Sequence, residues 1–172
     1  MNRRTFLLGA CAVGVCIALD HPAGAQGHSV VKYDDASWHY GGDFPRGLPQ
    51  SAGATHIAMF VAWAVLNGLG SDLHTRDSVA LRSRSVTPVS WFLQACDEKF
   101  TSEDLTEEGN RFVEAYYCDA EGLRTSPGSY LADYSERFPA LESLYHVPAT
   151  WASYDTIAPI IQARFEAWRR DG

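Results

Sequence analysis

A single, mainly α-helical domain is what this sequence predicts, and three observations predict it. Apolar residues recur at helical spacings of three and four through most of the stretch from Thr55 to Arg170. Helix-start chemistry punctuates that stretch, with Thr87 before Pro88 and Thr101 three residues before Asp104. Finally, residues 26–172 contain neither an internal repeat nor a linker long enough to divide them, and a chain of that length suits one core. The expected architecture is a compact bundle of about five or six helices with a short extended N-terminal segment.

Residues 1–25 are set apart as an export signal. Arg3 and Arg4 precede an apolar run from Gly9 to Leu19, which breaks at Asp20 and Pro22 and is followed by Ala23, Gly24 and Ala25. This basic, apolar, small-residue order is that of a cleaved signal, and it places the cut after Ala25. The run is shorter than the roughly 20 apolar residues of a membrane span, so no stable membrane insertion is expected after cleavage. Arg3 to Leu7 resembles a twin-arginine signal, although Asn2 and Leu8 depart from the usual pattern. A general secretory signal that happens to begin with two arginines is the alternative; a lipoprotein reading of Leu8 to Cys11 leaves almost no hydrophobic segment before the cysteine. The expected location is the periplasm.

The elements of the domain follow in order. Val30 to Tyr33 suits a short strand, followed by a loop rich in glycine and proline through Pro49. Thr55 to Leu69 is apolar almost all round and reads as a central buried helix stopped by Gly68 or Gly70. A second helix is expected over Arg76 to Ser83, and a third after Thr87, carrying Val89, Phe92, Leu93 and Cys96 inward. The capping box at Thr101 leads to a helix bearing Leu105, Phe112, Val113, Tyr116 and Tyr117. Ser129 to Phe138 and Thr156 to Arg170 complete the set, with Thr156 as N-cap so that Pro159 falls in the first turn.

Charge narrows the partners. The chain carries 14 basic and 21 acidic side chains, and removal of Arg3, Arg4 and Asp20 with the signal leaves 12 against 20, a net charge of −8. With no basic stripe through which counterion release can act, nucleic acid is not expected as a partner, whereas a basic protein is a natural one. Of the cysteines, Cys96 and Cys118 remain after cleavage, and either a disulfide between them or two separate buried thiols is compatible with the pattern.

Chemistry concentrates in Tyr33 to Pro45, which includes Asp34, Asp35, Trp38, His39, Tyr40 and Asp43. Three uses are open. Asp34, Asp35 and His39 can tie the loop down by hydrogen bonds while Trp38 and Phe44 plug the core edge. The six residues named can instead form a binding surface. His39, Asp43 and His56 can supply a zinc site of two histidines and a carboxylate, which leaves a coordination position for water. The chain contains no H-E-x-x-H, C-x-x-C or G-x-S-x-G motif. The acidic stretch from Asp97 to Glu108 lacks a calcium-loop spacing and reads as a solvated capping region. Tyr130, Tyr134, Tyr145, Trp151 and Tyr154 read as aromatic packing at helical spacing, and a partly exposed Tyr and Trp set would also suit a protein interface.

Five segments are distinctive in wording: WHYGGDFP from Trp38, AGATHIAMFVAW from Ala52, CDEKFTSEDLTEEG from Cys96, YLADY from Tyr130, and Leu144 to Pro159. Together they resemble a bacterial domain-of-unknown-function family, the one numbered 7832. That resemblance implies no established activity, so it assigns no catalytic residues; members usually lack a signal, which this chain carries. The expectation is an uncharacterised exported protein that acts without catalysis, as a binding or immunity-type protein neutralising a basic toxin in the periplasm. No cofactor is expected under that reading. The alternative is a small metal-dependent hydrolase with zinc held by His39, Asp43 and His56.

Overall fold

The computed structural model describes residues 17–18, 29–41, 44–118 and 127–171. Most of the expected signal, its cleavage point and Asp43 lie outside the described residues. Those described form a mainly helical domain: strands β1 (Ile17–Ala18), β2 (Val31–Asp35) and β3 (Lys99–Thr101), and helices α1 (Thr55–Leu66), α2 (Ser78–Arg82), α3 (Pro88–Ala95), α4 (Glu107–Phe112), α5 (Tyr130–Arg137) and α6 (Trp151–Asp171). The three strands form a small antiparallel sheet in the order β1-β2-β3.

Helix α1 is the axis of the fold. Every residue from Thr55 to Val65 is buried, as an element apolar on all sides must be when it is too short for a membrane. Among the described residues no helix is long and apolar enough to cross one. Phe60 and Trp63 seed an aromatic core: Phe60 meets Phe100 of β3, Phe112 of α4, Tyr117 and Tyr130, while Trp63 meets Phe112 and Phe165 of α6. Asn67 caps α1, and Gly68 then takes a φ of +81°, a left-handed conformation that a side chain at this position would resist.

Local signals account for several boundaries. Thr87 accepts the Ser90 amide at 3.1 Å, with Pro88 in the first turn of α3. The Thr101–Asp104 capping box is present, but it closes a single 3-10 turn; Thr106, accepting the Gly109 amide at 3.2 Å, starts α4. Beyond Phe112 the chain continues as a π-helical turn, Val113–Tyr117, which directs Val113, Tyr116 and Tyr117 into the core. Ser129 and Phe138 flank α5 as expected.

The last helix corrects the sequence reading. It begins at Trp151 rather than after Thr156, and Pro159 sits in its interior. Thr150 is the cap, accepting the Ser153 amide at 3.3 Å. The two extra turns are held by tertiary contacts: the Trp151 indole donates to the Val86 carbonyl at 3.0 Å, and Tyr154 is buried. Such contacts outweigh the local cost of an interior proline, about 3 kcal/mol. Arg164 of α6 then clamps Asp133 of α5 through Nε at 2.7 Å and an Nη at 2.8 Å, beside the Tyr116 hydroxyl. Strand β3 is a further element that the sequence reading did not contain.

The cysteines are not joined to each other. Cys96 is a free, buried thiol, and Cys118, also buried, is disulfide-bonded.

Candidate functional site

A β-bulge creates the site. Pairing between β2 and β3 slips between Lys32 and Asp34, and a bulge interrupts the alternation of faces. Tyr33, Asp34 and Asp35 are consequently all buried. Asp34 enters the core as a fully inaccessible carboxylate. Such a group is tolerated only with its lone pairs occupied, and they are: Oδ1 accepts the Asp35 amide at 2.8 Å and His39 Nε2 at 3.0 Å, and Oδ2 accepts the Tyr117 hydroxyl at 2.7 Å.

His39 is delivered by the 3-10 turn Ala36–His39, in which positions three apart share a face. Ala36 and His39 therefore point inward together, while Ser37 is exposed. Asp35 caps this turn, accepting the Ser37 amide at 3.0 Å and hydroxyl at 2.6 Å while its other oxygen takes Lys32 Nζ at 2.8 Å. Burial of Asp35 raises its carboxyl pKa, but the hydrogen bonds from Lys32 and Ser37 outweigh burial and hold it below the usual range.

His56, in the first turn of α1, completes the cluster. Its ring meets that of His39 edge-on at 4.6 Å, and its Nε2 lies 3.7 Å from Asp34 Oδ2. The Tyr130 hydroxyl donates to the His56 carbonyl at 2.7 Å. Gly53 lets the preceding turn close onto the loop, since a Cβ there would lie 3.0 Å from the Tyr40 ring and 3.2 Å from the His39 Cβ. On the outer side, Tyr145 places its hydroxyl 3.1 Å from His39 Nδ1, and Phe44 packs on the Tyr145 ring at 5.1 Å.

Two chemical states fit this geometry. With Asp34 ionised, its carboxylate only accepts, so His39 Nε2 carries the proton of that hydrogen bond. With a cation bound, Nε2 would be a bare ligand, and Nδ1–H would donate to the Tyr145 hydroxyl, the outer contact that orients ligating histidines. One donor atom each from Asp34, His39 and His56 lie within 4.8 Å of one another.

The cluster therefore unites His39 and His56 as the metal reading requires, with Asp34 as the carboxylate at hand; Asp43 lies outside the described residues. Of the other residues assigned to a binding surface, Asp34, Asp35 and His39 are buried, and Trp38 and Tyr40 are partly exposed. The Lys32 ammonium lies 5.3 Å from the Trp38 ring centre. The Tyr40 hydroxyl donates to Glu98 at 3.0 Å, and burial together with that carboxylate pushes its pKa up to about 12. Tyr117 and Tyr145 are the site residues that sequence reasoning missed, because both look like ordinary core aromatics.

A family model described as a domain of unknown function, DUF7832, matches residues 32–147. The chain belongs to the DUF7832 family. The match runs from β2 to the turn after Leu144, so the whole Asp34 cluster lies within the DUF7832 span, whereas α6 lies beyond it. No curated protein and no solved structure matches the chain.

Proposed function

We propose that this member of the DUF7832 family is an exported, periplasmic protein that works by binding rather than catalysis, in the manner of an immunity protein that neutralises a basic toxin. The observation that carries this reading is the division of labour in the loop. Its polar residues Asp34, Asp35 and His39 face inward and hydrogen-bond within the fold, while Trp38 and Tyr40 remain partly at the surface. Aromatic side chains on a pre-ordered backbone lose little freedom on binding, which is why they serve as interface anchors. The net charge of −8 left after removal of the signal, 12 basic against 20 acidic side chains, favours a basic partner.

A photo-crosslinking amino acid placed at Trp38, and as a control at the exposed Val79 of α2, tests this reading in cells that export the protein. The expected result is a product with a basic protein from position 38 that position 79 does not give. Identical products from both positions, or none from either folded variant, overturn it.

The second reading, a metal-dependent hydrolase, is favoured by the convergence of Asp34, His39 and His56 within 4.8 Å. Here Asp34 stands as the carboxylate beside the two histidines. Zinc would supply a polarised water at the remaining coordination position. It is expected to co-purify with the parent, and a His39→Ala, His56→Ala double variant would lose that zinc. Chelation would then lower the parent's melting temperature by more than the variant's, since a metal stabilises only the state that holds it. Equal metal content in the two proteins removes this reading.

A further inference from the structure

We propose that His74, Cys96 and Asp104 form a second metal site, independent of the Asp34 cluster and suited to zinc. The three residues come from separate parts of the fold: the end of the 3-10 turn Asp72–His74, the C-cap of α3, and the turn Ser102–Asp104 after β3. One donor atom from each lies within 4.8 Å of the others, with His74 Nε2 3.0 Å from Asp104 Oδ1, and all three residues are buried. Zinc bonds of about 2.0–2.3 Å place tetrahedral donors roughly 3.3–3.8 Å apart. The ion is accommodated by shifts of under about 1 Å on that geometry.

The frame is pre-ordered by backbone hydrogen bonds. Ser71 N donates to Asp104 O at 2.9 Å, Thr106 N to Leu69 O at 2.8 Å, and Lys99 N to Cys96 O at 3.0 Å. Capping explains only half of Asp104. Its Oδ2 accepts the Thr101 amide at 2.7 Å and hydroxyl at 3.0 Å, leaving Oδ1 turned to His74. The acidic stretch is thus not uniformly solvated: Glu103 and Glu107 are exposed, but Asp104 is buried between a histidine and a thiol.

The other ring nitrogen of His74 is left for a further partner. His74 Nδ1 and the Ser71 hydroxyl are buried without a hydrogen-bond partner among the described residues. Both residues line a surface hollow of about 250 Å³, together with Asp72, Thr75 and Ser78. The hollow borders His74, although neither Cys96 nor Asp104 lines it. It gives Nδ1–H a route to a water once Nε2 is engaged.

Charge completes the case. Cys96 and Asp104 are buried side by side, where a lone thiolate or carboxylate carries a desolvation cost. Zinc offsets that cost: Cys–SH and Zn²⁺ give the zinc thiolate and one proton released to solvent. Thiolate, carboxylate and Zn²⁺ then sum to zero around a neutral imidazole, which removes the penalty of a lone buried charge.

Cobalt(II) added to the reduced, metal-free full-length protein is the probe, because a thiolate ligand gives it an ultraviolet charge-transfer band and tetrahedral geometry gives strong visible bands. The expected result is both signals saturating at one equivalent and displaced by zinc. Cys96→Ser should abolish the thiolate band while circular dichroism stays unchanged, and His74→Gln should weaken it. The His39→Ala, His56→Ala variant should keep it, which separates this site from the Asp34 cluster. Absence of the thiolate band in the folded parent overturns the proposal, as does its persistence in Cys96→Ser.

Discussion

Replacing Trp63 by alanine is expected to destabilise the domain by about 3–5 kcal/mol, a large share of the roughly 5–15 kcal/mol that holds a typical domain together. The indole is 1% exposed and bridges three elements, meeting Phe60 in its own helix, Phe112 of α4 and Phe165 of α6. Its removal opens a cavity that neighbours on three sides cannot jointly fill, and unfilled volume sets the cost of such truncations. The melting temperature should fall by on the order of 10 °C. Trp63→Phe, which keeps a ring in place, should lose much less. A melting point for Trp63→Ala within a degree or two of the parent would show that α1 is not the axis of the core.

Asp34→Ala is expected to cost about 3 kcal/mol or more, because three buried donors lose the one carboxylate they share. The change leaves His39 Nε2, the Tyr117 hydroxyl and the Asp35 amide without their acceptor, each in a place that water does not reach. Each unsatisfied group is worth roughly 1–3 kcal/mol, and because they share one carboxylate their costs do not add. Asp34→Asn should be at most half as damaging. Its carbonyl still accepts from Tyr117, and its amide can donate to His39 Nε2 if the imidazole moves its proton to Nδ1 and donates to Tyr145, so that only the Asp35 amide loses its acceptor. Denaturant midpoints at constant slope measure the difference. A loss below about 1 kcal/mol for Asp34→Ala would mean that the cluster does not anchor the loop.

These two positions differ in how far the sequence exposes their roles. Trp63 sits in a run so apolar that burial follows from composition. Asp34 looked equally suited to three uses, because what it touches is decided elsewhere: Tyr117 lies 83 residues away, and inward placement follows a bulge that depends on the register with β3. Strand β3 was itself invisible for the same reason, since Lys99, Phe100 and Thr101 acquire strand geometry by pairing with β2. Tyr145, 106 residues from its His39 partner, carried no local mark.

By itself the sequence determined whatever rests on neighbours within about one helical turn. It defined the buried run of α1 with its stop at Gly68 or Gly70, the Thr87–Pro88 start of α3, the Thr101–Asp104 capping box and the bounds of α5. Tertiary structure alone decided that α6 begins at Trp151, since the indole bond to Val86 and the burial of Tyr154 outweigh an interior proline. It decided too that Asp34 meets His39 and His56, and that His74, Cys96 and Asp104 converge. The physical reason is common to these cases. Caps and apolar periodicity act through bonds between residues a few positions apart, whereas the environment of a buried polar group is set by strands and turns that meet only once the core has closed.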